Sequence, residues 1–182
     1  TWLLMGPSDE VYFISFAQVL VEKNIARRFF PPAGLSLLAE QHDDLKNPLS
    51  LKEVIVAGEA LILTPAIRRM FLKLDSCQLW NHYGPTETHV VTTYRVNTNS
   101  DGEFPPIGSP ISHSSLFVLN IAGLPCSKGE TGELWVGGDC LAKGYHQRDE
   151  ETQARFQHHD YAGQRLYRTG DLVRQSSCGA LE

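Results

Sequence analysis

Between Ile25 and Trp80 the chain repeats one pattern: a short apolar run, a turn, then apolar residues at helical spacing. Ile25 to Phe30 reads as a strand stopped by Pro31-Pro32, and Leu35, Leu37 and Leu38 belong to the helix that follows. Glu53 to Ala57 is a second strand, entering Gly58-Glu59-Ala60. Thr64-Pro65 then opens a helix, with proline at the first helical position, where its missing N–H is no loss. Gln78 to Trp80 form a third strand, and the run Asn81-His82-Tyr83-Gly84-Pro85-Thr86-Glu87 follows at once. Upstream, Trp2 to Met5 reads as a strand and Ser8 as a helix cap, with Asp9 and Glu10 favourable in the first turn. Phe13, Phe16, Val19 and Leu20 recur at helical spacing behind that cap. Such alternation predicts an α/β fold: a mostly parallel sheet with flanking helices and ligands at the carboxyl ends of its strands.

The second half changes character. Val90 to Val96, Leu116 to Leu119 and Glu133 to Val136 read as strands punctuated by glycine and proline. Asn120-Ile121-Ala122-Gly123 reads as a hairpin turn, and one short helix is expected over Asp149 to Phe156. The expectation is a smaller antiparallel or barrel-like β region, with the division at residues 1–96 and 97–182 and both halves belonging to one incomplete domain.

Composition narrows the partners. A net charge of −5 with acids and bases scattered along the chain argues against nucleic acid. No apolar run approaches the roughly 20 residues that span a bilayer, so no membrane partner is expected. Cys77, Cys126, Cys140 and Cys178 have no CxxC spacing and read as isolated thiols, which fits a reducing cytoplasm. His158-His159-Asp160 suggests a metal site only superficially and reads as a surface loop, since no fourth ligand has suitable spacing.

The run Tyr83 to Glu87 is echoed by Tyr167-Arg168-Thr169-Gly170-Asp171-Leu172. Each sets a turn-forming glycine beside hydroxyl and carboxylate side chains, as a polyphosphate and its metal require. Together with Pro106 to Ile111 and Gly132 to Tyr145, and more weakly Ile25 to Pro32 and Val54 to Ala60, these runs resemble the adenylation domain of nonribosomal peptide synthetases. That family lies within the adenylate-forming (AMP-dependent synthetase and ligase) superfamily. Pro85 favours the peptide-synthetase branch.

The resemblance implies a reaction that joins a carboxylate to the α-phosphate of ATP and passes the acyl group to a carrier-protein phosphopantetheine. Catalysis of this kind depends on positioning and charge neutralisation. Glu87 would ligate Mg²⁺ and Thr86 would give its hydroxyl to the α-phosphate. Tyr83 would lie against the adenine face of ATP or AMP, with Gly84 beside it, and Asn81 would read the adenine edge. Gly58, Glu59 and Ala60 would pack on the other side of the base, and Asp171 would accept from both ribose hydroxyls. Phe29, Ile55, Ala57, His82, Val90 and Val91 would line the amino-acid pocket, whose apolar character favours a medium-sized, leucine-like side chain. The implied partners are that amino acid and the carrier and condensation domains of an assembly line making a secondary metabolite.

The glycine-rich phosphate loop, the substrate-binding aspartate and the mobile lysine of the family have no counterpart here, so the sequence reads as a piece of a longer protein, inactive alone. A related ligase that transfers an aryl or fatty acid to coenzyme A, and a non-catalytic remnant that binds nucleotide, are the alternatives. Taken singly, Glu87 could be a solvated acid and Asp171 could close a hairpin. Gly137-Gly138 and Lys143-Gly144-Tyr145 read as structural turns rather than ligand contacts.

Overall fold

The computed structural model describes residues 13–44, 48–74, 76–177 and 179–182. The expected strand at Trp2 to Met5, the cap at Ser8 with Asp9 and Glu10, and Cys178 lie outside the described residues, as do the side chains of Phe13 and Phe16. The chain divides into two compact units, Thr1–Trp80 with Arg95–Pro105, and Asn81–Tyr94 with Pro106–Glu182.

In the first unit, helix α1 (Phe13–Glu22) leads to strand β1 (Arg27–Phe30) and helix α2 (Pro32–Gln41). Strand β2 (Glu53–Val56) and helix α3 (Pro65–Lys73) follow, and strand β3 (Gln78–Tyr83) starts in this unit and ends in the second. β1 and β2 pair in parallel, with Phe29 opposite Ile55 and Phe30 opposite Val56. Because side chains alternate across a strand, Phe30, Val54 and Val56 are buried on one face while Phe29 and Ile55 share the other. Leu35, Leu38, Leu51, Ile67, Met70 and Leu79 complete the core around them. α3 begins as its sequence predicts: the Thr64 hydroxyl accepts the Ile67 N–H at 3.2 Å, satisfying an otherwise orphaned donor. From the same helix Arg68 donates to the carbonyls of Thr98, Asp101 and Gly102, fastening that loop.

Five strands hydrogen-bond in the order β1-β2-β3-β4-β5, where β4 is Thr92–Val96 and β5 is Ser109–Pro110. The sheet is mixed: β1–β2 is parallel, whereas β4 and β5 run antiparallel.

The second unit carries a separate sheet. Strands β6 (Ser114–Leu119), β7 (Thr131–Gly138), β8 (Phe156–His159) and β9 (Gln164–Arg174) form an antiparallel sheet ordered β6-β7-β9-β8. It is open rather than barrel-like, with β6 and β8 as its edges among the described residues. Helix α4 (Asp149–Arg155) precedes β8, as expected. The Asn120 turn forms because its side-chain oxygen accepts the N–H groups of Ala122 and Leu124. Three local readings change. His158 and His159 lie in edge strand β8 rather than a loop, since an exposed edge accepts polar residues on its solvent side. Gly137 and Gly138 end β7 instead of making a turn. The run Tyr167 to Leu172 lies within β9, so Asp171 closes no hairpin. Val91, Leu134, Val136, Val173 and Leu181 form the core cluster of this unit. No helix among the described residues is long and apolar enough to cross a membrane.

Candidate nucleotide site

Tyr83 is the last residue of β3, and the loop behind it closes through a 2.8 Å bond from the Val91 N–H to the Tyr83 carbonyl. The closure is tight at Gly84, where a Cβ would lie 1.8 Å from the His89 carbonyl oxygen. Only glycine fits there. Thr88 is fully buried, and its hydroxyl donates to the carbonyls of His89 at 3.0 Å and Pro85 at 3.3 Å. Anchored at both ends, the loop leaves Thr86 exposed and Glu87 half-buried beside it.

Asp171 is placed by a bulge. Glu133 pairs with Leu172 and Trp135 with Arg168, so Thr169, Gly170 and Asp171 together oppose the single residue Leu134. Thr169 pins the bulge: its hydroxyl donates to the Leu134 carbonyl at 2.7 Å and accepts the Asp171 N–H at 3.0 Å. Gly170 takes the left-handed turn at φ 87°, which L side chains rarely adopt. Bulges of this kind re-aim a side chain out of a strand. Here the redirected carboxylate meets the Tyr83 hydroxyl, which donates to it. Burial, and then this carboxylate, push the Tyr83 phenol well above its ordinary pKa, so it remains a proton donor.

Glu87 has its own support. Its Oε1 accepts the Tyr145 hydroxyl at 2.6 Å, and its backbone carbonyl accepts the Ala142 N–H at 2.8 Å. Burial works to raise the Glu87 pKa. The phenol of Tyr145, its own backbone N–H, Tyr167 and the charge of Arg155 outweigh that and hold the carboxyl below its usual value. Burial first, and then neighbouring oxygens, raise the phenols of Tyr145 and Tyr167. The arrangement is an ionised carboxylate with phenol donors behind it.

Tyr145 and Tyr167 are the residues that sequence reasoning missed. Both lie inside recognised runs, but Tyr145 was read as part of a turn and Tyr167 carried no role. Asn81 has a bond of its own within the chain. It is 4% exposed and donates its side-chain N–H to the Pro106 carbonyl at 2.9 Å, which makes it a fastener of the strand end. Val91, expected in the amino-acid pocket, is packed into the core cluster, whereas His82 and Val90 are half-buried. In the first unit, Phe29 stands opposite Ile55 across β1 and β2 and is 53% exposed, and Ala57 follows just past the end of β2. Gly58, Glu59 and Ala60 stand exposed just beyond β2.

The chain that carries this glycine-tight loop and this bulge belongs to the AMP-binding enzyme family, whose model matches residues 4–146. Its relatives are peptide synthetases. The chain is 36% identical over 163 residues to Gramicidin S synthase 2 of Brevibacillus brevis, covering 88% of this chain and 4% of that protein. It is 39% identical over 167 residues to a phosphinothricin tripeptide synthetase of Streptomyces viridochromogenes, covering 90% and 14%. Among solved structures it resembles an NRPS protein containing adenylation and PCP domains, with a TM-score of 0.82 and 27% identity over 93% of this chain and 35% of that one. The adenylation-domain resemblance drawn from the sequence motifs therefore holds, and the chain spans a small part of the length of these relatives.

Proposed function

We propose that the chain is part of an adenylation domain that activates an amino acid as aminoacyl-AMP, releasing pyrophosphate from ATP, and loads it onto a carrier-protein phosphopantetheine thiol in the cytoplasm. The observation that carries the reading is the placement, within one unit, of Thr86 and Glu87 on a rigid loop and of Asp171 on a bulge bonded to that loop's first residue. Thr86, exposed and free to rotate its hydroxyl, would donate to the α-phosphate. Asp171, with two oxygens, would accept from the ribose hydroxyls, and Tyr83 would set the adenine face beside it.

A magnesium ion fits the Glu87 donor set. Magnesium is held by one or two carboxylates plus phosphate oxygens rather than by a protein cage, and Glu87 offers one such carboxylate, steadied by the Tyr145 hydroxyl. When bound, it supplies neutralisation of phosphate charge. The chain's own contribution is to keep the Glu87 carboxylate ionised and fixed in place. In the first unit, Phe29, Ile55 and Ala57 support a medium-sized apolar amino acid, and carrier and condensation domains are the partners this reading entails.

Amino-acid-dependent ATP–pyrophosphate exchange by the full-length domain tests the proposal across a panel of amino acids. Exchange with an apolar amino acid, reduced about a hundredfold or more by Glu87→Gln, is expected. Exchange dependent on an aryl or fatty acid, or none at all, would overturn it.

A further inference from the structure

The segment 142–145 is held against Glu87 by more contacts than a connecting loop needs. Arg165 donates to the carbonyls of Ala142 at 2.9 Å and Lys143 at 2.8 Å, and its guanidinium lies 4.4 Å over the Phe156 ring. Thr152 of α4 accepts the Tyr145 N–H at 2.9 Å while donating to the Arg148 carbonyl at 2.9 Å. The Tyr145 ring packs edge-on against Phe156 at 5.8 Å, and Phe156 lies 4.9 Å from Tyr167. Backbone, ring and hydroxyl of Tyr145 are thus each fixed independently. Their common result is the 2.6 Å bond to Glu87 Oε1, which spans 58 residues of chain.

We propose that Tyr145 is a positioning residue for the metal-binding carboxylate, its phenol holding Glu87 in one rotamer so that a divalent cation meets a preformed oxygen ligand. The inference rests on the reading of Glu87 as the magnesium ligand. A carboxylate that accepts one hydrogen bond on Oε1 keeps lone pairs for a cation, and the bond removes the cost of freezing the side chain when the metal arrives. The phenol thus acts on metal affinity through Glu87 and touches no reacting atom.

The test uses the full-length domain with Tyr145→Phe, which keeps the ring against Phe156 and deletes the hydroxyl, with its bond to Glu87 and its contact with the Tyr167 phenol. The half-saturating Mg²⁺ concentration for ATP–pyrophosphate exchange is expected to rise about tenfold. Calorimetric titration with ATP is the second readout: affinity should fall in excess Mg²⁺ and stay at the wild-type value in EDTA. On a Glu87→Gln background, Tyr145→Phe should add no further effect. Thr152→Val, which frees the Tyr145 backbone, should shift the Mg²⁺ requirement in the same direction and covers the case of a poorly folding Tyr145→Phe. An unchanged Mg²⁺ requirement, or equal weakening of ATP binding with and without metal, overturns the inference. Absence of exchange in the wild type overturns the functional reading instead, and the calorimetric comparison still decides on Tyr145.

Discussion

The Tyr83 hydroxyl donates to the Asp171 carboxylate across 88 residues of chain, joining the end of β3 to the bulge of β9. The bond ties the two most recognisable runs of the sequence into one surface. It also occupies a carboxylate oxygen that the ribose reading assigns to the nucleotide, so Tyr83 fixes the direction in which Asp171 points.

Removing that hydroxyl should loosen Asp171 without disturbing the ring. Tyr83→Phe is expected to raise the KM for ATP about tenfold, the low end for one hydrogen bond to a charged partner, as suits a partly exposed site. The KM for the amino acid should stay near the wild-type value, and Asp171→Asn should cost more than Tyr83→Phe. Steady-state exchange kinetics with ATP varied check both.

Gly84 gives the sharpest stability contrast. Alanine there places a methyl group inside the His89 carbonyl, with the Val90 Cα 2.7 Å away, and both are backbone atoms that cannot rotate aside. Gly84→Ala should destabilise the protein by about 3 kcal/mol, at the upper end of overpacking costs. At Gly102, where nothing lies within 4 Å of an added Cβ, the same change should stay within about 0.5 kcal/mol. Urea denaturation of the two variants separates the cases.

Cys77 and Cys140 should be slow to react. Burial pushes the Cys77 thiol up to about 11 from its model-compound value of 9.0, and Cys140 moves in the same direction for the same reason. Thiolate is the nucleophile, so at pH 8 roughly one Cys77 in a thousand is reactive. Iodoacetamide labelling followed by peptide mass spectrometry should show Cys77 lagging behind a denatured control at pH 8 and catching up as the pH approaches 11. Since the folded pKa lies above the unfolded one, burying the neutral thiol supports folding fully below pH 9.0, and that support fades between 9.0 and about 11. Stability should therefore decline over that window, and less steeply in Cys77→Ala.

The parts of the fold that were legible in sequence are those whose chemistry is local. Thr64-Pro65 announces α3 because cap and first turn sit within four residues, and Asn120 announces its turn because its own side chain closes it. What was hidden depends on partners far along the chain. Tyr145 reads as the end of a glycine turn until Glu87 is brought to it. Asp171 could pass for a hairpin residue because nothing in Thr169-Gly170-Asp171 reveals that Leu134 lies opposite as the single partner of all three. Asn81 advertises an amide without saying that Pro106 receives it. Val91 shows the same limit for burial: its β-branched neighbours mark a strand, but only the packing of Leu134, Val136 and Val173 decides that its side chain belongs to the core.

Arg165 offers a way to loosen the Glu87 support without touching it. The fork of its guanidinium reaches two successive carbonyls while its plane covers Phe156, and lysine can reproduce neither feature. Arg165→Lys should therefore free the segment 142–145, at a cost of about 1–2 kcal/mol in global stability. The Ala142 amide, whose N–H bonds to the Glu87 carbonyl at 2.8 Å, reports the local effect. Hydrogen exchange at that amide should quicken by more than the global destabilisation accounts for, whereas amides in the centre of β7 should follow the global change. Uniform acceleration across both would mean that Arg165 supports the unit as a whole and holds no particular segment.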